Sequence, residues 1–284
     1  MNFKKYLNKI AHKVAECSPN LRDKNLVSKI DKDSLLFYFG NVHSQVGQDG
    51  ILSEIFKRLK IKNSTFVEFG GWDGIFLSNC RFLFEKGWGG SFIEGDSKKF
   101  KILKKNYSDN KEINCINEMV GFEKNNNLAI ILNNKNIDLD KIDFVSIDVD
   151  GIDLDIFENM NFKPKVILIE GGFSLSPFLK RKLETTDISN NIQQSLYVIF
   201  NEATKHNYVP VCFYQDTYLV RNDLVNDNFK TFDVVKLYKD AFNFLPVDHR
   251  ENLLTFRNNN KKIKEIETNY FGNFKSNPLN YDGK

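Results

Sequence analysis

The chain has 284 residues, 41% of them hydrophobic, 13% aromatic and 27% charged, which suits one large domain or two small ones and excludes a disordered or collagen-like chain. Forty Lys and Arg against 37 Asp and Glu leave a net charge of +3, so no concentrated basic face marks a nucleic-acid binder. No run approaches the ~18 consecutive apolar residues of a membrane-spanning helix, and no transmembrane segment is expected.

The chain opens with MNFKKYLNKIAHKVAECS, which lacks the apolar run and small-residue cleavage site of a secretory signal. Phe3, Leu7, Ile10, Ala11 and Val14 fall on one helical stripe, with four lysines off it. That short stripe, without Trp, favours a helix packed on its own core or on a second subunit over one lying on a membrane. Cys17, Cys80, Cys115 and Cys212 are scattered, with no C-x-x-C pair. Zinc and redox sites are therefore disfavoured, and buried thiols in a cytoplasmic protein are the expectation.

Farther on, Ile51, Leu52, Ile55, Phe56 and Leu59 recur at helical spacing and predict a helix starting at Gln48 or Asp49. Short apolar strands then alternate with helices. Strands are predicted over 65–69, 91–94, 113–116, 144–148, 166–170, 208–213 and 217–221, and helices over 77–86, 98–107, 128–135, 154–159 and 192–206. The alternation implies βαβ units, while the three residues between the last two strands make a hairpin, so one of the two runs antiparallel. The expected fold is α/β: a doubly wound, Rossmann-like, seven-stranded, mostly parallel sheet with an antiparallel C-terminal hairpin, which is the class I methyltransferase fold. It is expected over residues 41–222, after a helical arm over 1–40 and before an extension over 223–284. Ligands in such sheets bind beyond the carboxyl ends of the strands, at the switch point.

The first strand runs into FVEFGGWDGIFLSN, where Glu68, Gly70 and Gly74 have the E-x-G-x-x-x-G spacing of an S-adenosylmethionine (SAM) loop. Gly70 suits a sharp turn beside a ligand, and Gly74 suits close packing where a helix begins. A plain structural turn is one alternative and a dinucleotide loop is another. The run Gly-Gly-Trp-Asp-Gly breaks the G-x-G-x-x-G spacing, and Asp73 would set a carboxylate against a pyrophosphate. SAM has no phosphate and carries a cationic sulfonium. Asp73, Ser78 and Asn79 complete the cofactor-facing set of this loop. Glu94, at the end of the second strand, is suited to the ribose hydroxyls, and Glu118, after the third, to the adenine.

The fourth strand leads to Asp148 and Asp150, and the fifth ends in Glu170. These three carboxylates gather where a transferable methyl belongs. Asp148 or Asp150 can take the proton of an acceptor, or Asp148, Asp150 and Glu170 can hold a divalent cation such as Mg that acidifies a hydroxyl. Solvated carboxylates are the plain alternative. Asp153 is expected to cap or open the next helix. His43, just ahead of a polar helix entry, is a second candidate base.

Taken together, Ser44-Gln45-x-Gly47-Gln48-Asp49, Val67-Glu68-Phe69-Gly70 with Asp73-Gly74, Phe92-Ile93-Glu94, Ser146-Ile-Asp148-Val-Asp150-Gly151, Ile169-Glu170 and Tyr218-Leu-Val-Arg221 resemble the FkbM-like branch of class I SAM-dependent methyltransferases, over roughly residues 44–222. The resemblance implies an O-methyltransferase that uses SAM and decorates sugars, surface polysaccharides or secondary metabolites. It also implies that the 44–49 segment folds over the cofactor, which adds Gln45 and Asp49 to the contacts. Trp72 departs from the pattern, which more often has a smaller or polar residue there. The acceptor is expected to be shaped by Glu170 and the segment from Phe173 to Gln194. There Lys180 and Arg181, with Lys182, would read an anion on a phosphorylated or nucleotide-linked sugar, a solvated helix face being the alternative. The expected partner is a small molecule or glycan precursor and not nucleic acid, and a tail with Tyr270, Phe271 and Phe274 suits either a site cover or a homodimer. A nicotinamide-dependent oxidoreductase and a non-catalytic SAM-binding module are the competing classes.

Overall fold

The computed structural model describes residues 23–149, 151–188 and 192–271. The amphipathic stretch over 3–14, Cys17, Asp150 and Phe274 lie outside the described residues. One sheet is built from β1 (Thr65–Phe69), β2 (Gly89–Ile93), β3 (Ile113–Ile116), β4 (Ile142–Ile147), β5 (Val166–Glu170), β6 (Tyr208–Tyr214) and β7 (Asp216–Arg221), in the order β3-β2-β1-β4-β5-β7-β6. β1 to β5 pair in parallel, and β7 runs antiparallel to both β5 and β6. This is the doubly wound sheet expected from the pattern. The chain moves outward from β1 to β3 and then returns to the other side at β4, so the switch point lies between β1 and β4.

The middle strands are apolar on both faces because both are covered. Along β1, β2 and β4, Phe66, Phe92 and Phe144 point into one core, with Phe56 and Trp88, while Val67, Ile93 and Val145 point into the other. The helices are α1 (Lys24–Val27), α2 (Gln48–Leu59), α3 (Arg81–Glu85), α4 (Ser97–Asn106), α5 (Leu128–Asn134), α6 (Asp153–Glu158), α7 (Leu196–Lys205), α8 (Val234–Phe244), α9 (Val247–Asn259) and α10 (Lys261–Phe271). α2 starts where its periodicity placed it and buries Ile51, Leu52, Ile55 and Phe56.

Most boundaries shift by one or two residues, and three shifts have a clear local reason. The helix expected over 77–86 shrinks to α3, because Leu77 takes a left-handed φ of 59° and the Glu68 carboxylate holds the next three residues in a turn. The helix expected from 192 begins only at Leu196, where the Ser195 hydroxyl caps it by accepting from the Val198 N–H. The final hairpin turns on Gln215 alone, at φ 58°, so β7 starts one residue earlier than expected and takes in Asp216.

Beyond the sheet, Leu237, Tyr238, Ala241 and Phe242 of α8 join the core that lies under β6. α9 and α10 are clasped to the loop after β5 through Arg257, which is fully buried. Its guanidinium donates to the carbonyls of Phe173 (3.2 Å) and Ser174 and pairs with Glu267 at 2.7 Å. Glu267 also accepts the Ser176 N–H at 2.8 Å. No helix among the described residues is long and apolar enough to cross a membrane. Cys80 and Cys212 are buried free thiols, and Cys115 is a half-buried one.

Candidate active site

A cleft of about 1080 Å³ opens at the carboxyl ends of the central strands. The Gly70–Trp72 turn, Gln45 and Gln48, Asp148, Glu170 and Asp216 all line it, and α9 contributes His249, Asn252 and Phe256. Gly70, just past β1, has a φ of 71°, and a Cβ there would stand 2.8 Å from the Asp148 carbonyl oxygen, so no other residue fits without strain. Gly74 is also left-handed, and its Cβ would meet Leu103 and Tyr107 at 2.6–2.7 Å, so it packs against the end of α4 and not at the start of a helix, since α3 begins only at Arg81.

Several acids predicted to face the cofactor instead build the loop. Glu68 is buried and accepts from the Ser78 hydroxyl (2.7 Å) and the N–H groups of Asn79 (3.0 Å) and Cys80 (2.9 Å). Desolvation pushes its carboxyl upward, and these three donors oppose that shift. Asp73 accepts from the N–H groups of Ile75 and Phe76 and does not line the cleft. Asn79 does line it. Its amide donates to the Ser146 hydroxyl at 3.0 Å, and its buried Oδ1 has no hydrogen-bond partner. Glu94 is buried behind the turn, outside the cleft lining itself, and accepts the N–H groups of Trp72 (3.1 Å) and Asp96 (2.8 Å). A carboxylate has about four acceptor sites, so Glu94 keeps capacity for two hydroxyls. Glu118 is exposed, 3.9 Å from Lys135, and away from the cleft.

The 44–49 segment divides its roles. Asp49 is buried, and its Oδ2 accepts the N–H groups of Val42, His43 and Ser44 at 2.7–2.9 Å, fixing the entry to α2. Gln45 then borders the cleft. Gln48 accepts the Val46 N–H at 2.6 Å and donates from Nε2 to Asp216 at 2.7 Å. His43 does not reach the cleft: its ring contacts Glu85 at 2.9 Å on the outer side of α3, which leaves it no position from which to act as the second base.

At the ends of β4 and β5 the carboxylates converge. Oxygens of Asp148, Asp153 and Glu170 lie within 4.8 Å of one another. Asp153, the first residue of α6, accepts the N–H groups of Val149 and Gly151 at 2.8 Å each. Glu170 accepts from Gln193 at 2.9 Å. Asp153 thus joins Asp148 and Glu170 in the cluster, and the expected Asp150 lies outside the described residues. An acid cluster alone does not make a metal site, and we assign no ion to it.

Asp216 and the α9 residues were not anticipated. Asp216 reads in the sequence as a turn residue, yet it pairs with Glu170 across β5 and β7 and is buried at the cleft. Desolvation raises its carboxyl to about 7; the Gln48 bond opposes this, and the nearby charge of Asp153 adds to it. The one available signal was an acid at a very short hairpin link. Lys180 and Arg181 require a correction: both are exposed and neither lines the cleft. Lys180 lies over the Tyr197 ring at 5.1 Å, and Lys182 pairs with Asp155 and Glu158. Among the described residues the cleft lining contains no Lys or Arg, while Glu68, Asp148, Glu170, Asp216 and Asp248 contribute acids.

No protein-family model matches the chain, and no curated protein matches it. Among solved structures it is similar to M. capricolum TrmK in complex with S-adenosyl-homocysteine, at 17% identity and a TM-score of 0.42, over 76% of this chain and 92% of that one. It is also similar to a SAM-dependent methyltransferase from Aquifex aeolicus (11% identity, TM-score 0.38, 70% and 98% of the two chains). A third is the small RNA methyltransferase HEN1 (14% identity, TM-score 0.39, 63% and 26%). At TM-scores below 0.5 these likenesses assign nothing to the residues of this chain.

Proposed function

We propose that the protein is a SAM-dependent methyltransferase acting on a hydroxyl of a small, neutral, sugar-like acceptor. The observation that carries this reading is the cleft itself, which opens at the switch point of the sheet beside an obligate glycine turn and is lined by acids without a Lys or Arg among the described residues. A sulfonium cation gains from such a lining, whereas the pyrophosphate of a dinucleotide is repelled by it. The same repulsion argues against a nicotinamide-dependent oxidoreductase. It argues equally against a phosphorylated acceptor or a nucleic-acid backbone in the cleft.

The residues present fit the cofactor. Gly70 and Gly71 let it approach the backbone, Glu94 has acceptor capacity for its ribose hydroxyls, and the unpartnered Asn79 Oδ1 suits its ammonium group. When bound, SAM supplies an activated methyl group. The chain's own part is to exclude water with Trp72, Phe173 and Phe256 and to orient the acceptor hydroxyl with Asp148 and Glu170. Sugars offer many neutral hydroxyls to such carboxylates, in keeping with the glycan and secondary-metabolite substrates that the FkbM-like resemblance implies.

Isothermal titration with SAM and with NAD tests the reading. It predicts saturable SAM binding and no NAD binding. NAD binding without SAM binding would contradict it.

A further inference from the structure

Two carboxylates lining the cleft are buried, Glu68 and Asp216, and they are held differently. Glu68 is spent on three donors of its own loop. Asp216 receives the neutral amide of Gln48, and among the described residues no cation lies within ion-pair distance of it. Its surroundings add negative charge: Glu170 is its partner across the sheet, and Asp153 acts on it from α6. Tyr214 faces it from β6, and Tyr218, on its own strand, is buried within reach of its field. From α9, Asp248 and His249 border the same cleft.

A buried carboxylate without a cation is unfavourable, and a sulfonium in the cleft relieves that. Once the methyl has left, the sulfur is neutral and the carboxylate is stranded again, unless it gains a proton. Asp148 escapes this constraint because it is exposed and water screens its charge. We propose that Asp216 is the base of the reaction, taking the proton of the acceptor hydroxyl as the methyl is transferred, so that the cleft loses one positive and one negative charge together. This rests on the SAM reading above. In the step, the acceptor oxygen forms a bond to the methyl carbon, and the carbon–sulfur bond breaks with its electron pair remaining on sulfur. The O–H proton passes to a carboxylate oxygen of Asp216. Gln48, donating to Asp216 Oδ2 at 2.7 Å, is the positioning residue for this carboxylate.

The test needs no acceptor. Because burial raises the Asp216 carboxyl toward neutral pH, part of the free protein carries this proton near pH 7. SAM, cationic at sulfur, should expel it, and S-adenosylhomocysteine (SAH), neutral at sulfur, should not. SAM affinity should accordingly rise with pH and level off above about 7, while SAH affinity stays flat across the same window. Calorimetric titrations at pH 7 in phosphate and in Tris, whose ionisation enthalpies differ, measure the protons released. Wild-type protein is expected to release measurably more proton with SAM than with SAH. Asp216→Asn should abolish the difference, and His249→Ala should keep it. Equal proton release with SAM and SAH in the wild type, an undiminished difference in Asp216→Asn, or its loss in His249→Ala would overturn the proposal while leaving the cofactor reading intact. Failure of both SAM and SAH to bind would overturn the two together. If Asp216→Asn does not fold, Gln48→Leu serves instead: loss of the amide donor should move the maximum of the SAM–SAH difference to higher pH, and an unmoved maximum would overturn the proposal.

Discussion

Gly70 answers two demands at once, a left-handed φ and the approach of the Asp148 carbonyl to 2.8 Å from where a Cβ would sit. The left-handed φ alone costs an L-residue about 1–2 kcal/mol, and the close approach adds to that. Gly70→Ala should therefore weaken SAM binding about tenfold or more, as measured by calorimetry, with a lowered melting temperature; unchanged affinity would mean that the turn does not bear on the cofactor. Such positions are legible in a sequence because a backbone constraint leaves a residue type and a spacing behind, as the left-handed Gly74 also illustrates. Asp216 left no such trace. Its burial and its neighbours come from Glu170 and Gln48, which are remote in sequence and meet it only once the sheet is paired. Asp73 and Glu68 were recognised as belonging to the loop, but a carboxylate aimed at a ligand and one aimed at the loop's own N–H groups look alike in one dimension.

At the scale of elements, the clasp between α9, α10 and the loop after β5 shapes one wall of the cleft. Arg257 and Glu267 are both buried, with the guanidinium also satisfying the Phe173 and Ser174 carbonyls. Arg257→Met strands the Glu267 charge and should lower unfolding stability by about 3–5 kcal/mol in denaturant titrations, with much of the loss recovered in Arg257→Met/Glu267→Leu. A loss below about 1 kcal/mol would mean that the clasp contributes nothing beyond a surface pair. The strands were legible to within one or two residues, since buried parallel strands announce themselves as apolar runs. α9 was not: VDHRENLLTFRNN carries no sharp apolar stripe, because its inward face meets a polar cleft as well as the core.

For the whole molecule, a net charge of +3 conceals a sorted distribution. Folding sends Lys180, Arg181 and Lys182 outward and brings Asp148, Glu170 and Asp216 to the switch point of the sheet. The near-balance of the sequence could not reveal an acidic cleft, because that depends on which strand ends share an edge. On the proposed function, this edge receives SAM and presents its methyl to a neutral hydroxyl. The most direct test is a crystal structure of the protein with SAH. The account predicts the ribose hydroxyls on Glu94, the backbone of Gly70 and Gly71 against the ligand, and the sulfur facing the carboxylates of the cleft. SAH bound elsewhere, or a cleft that stays empty at saturating SAH, would contradict it.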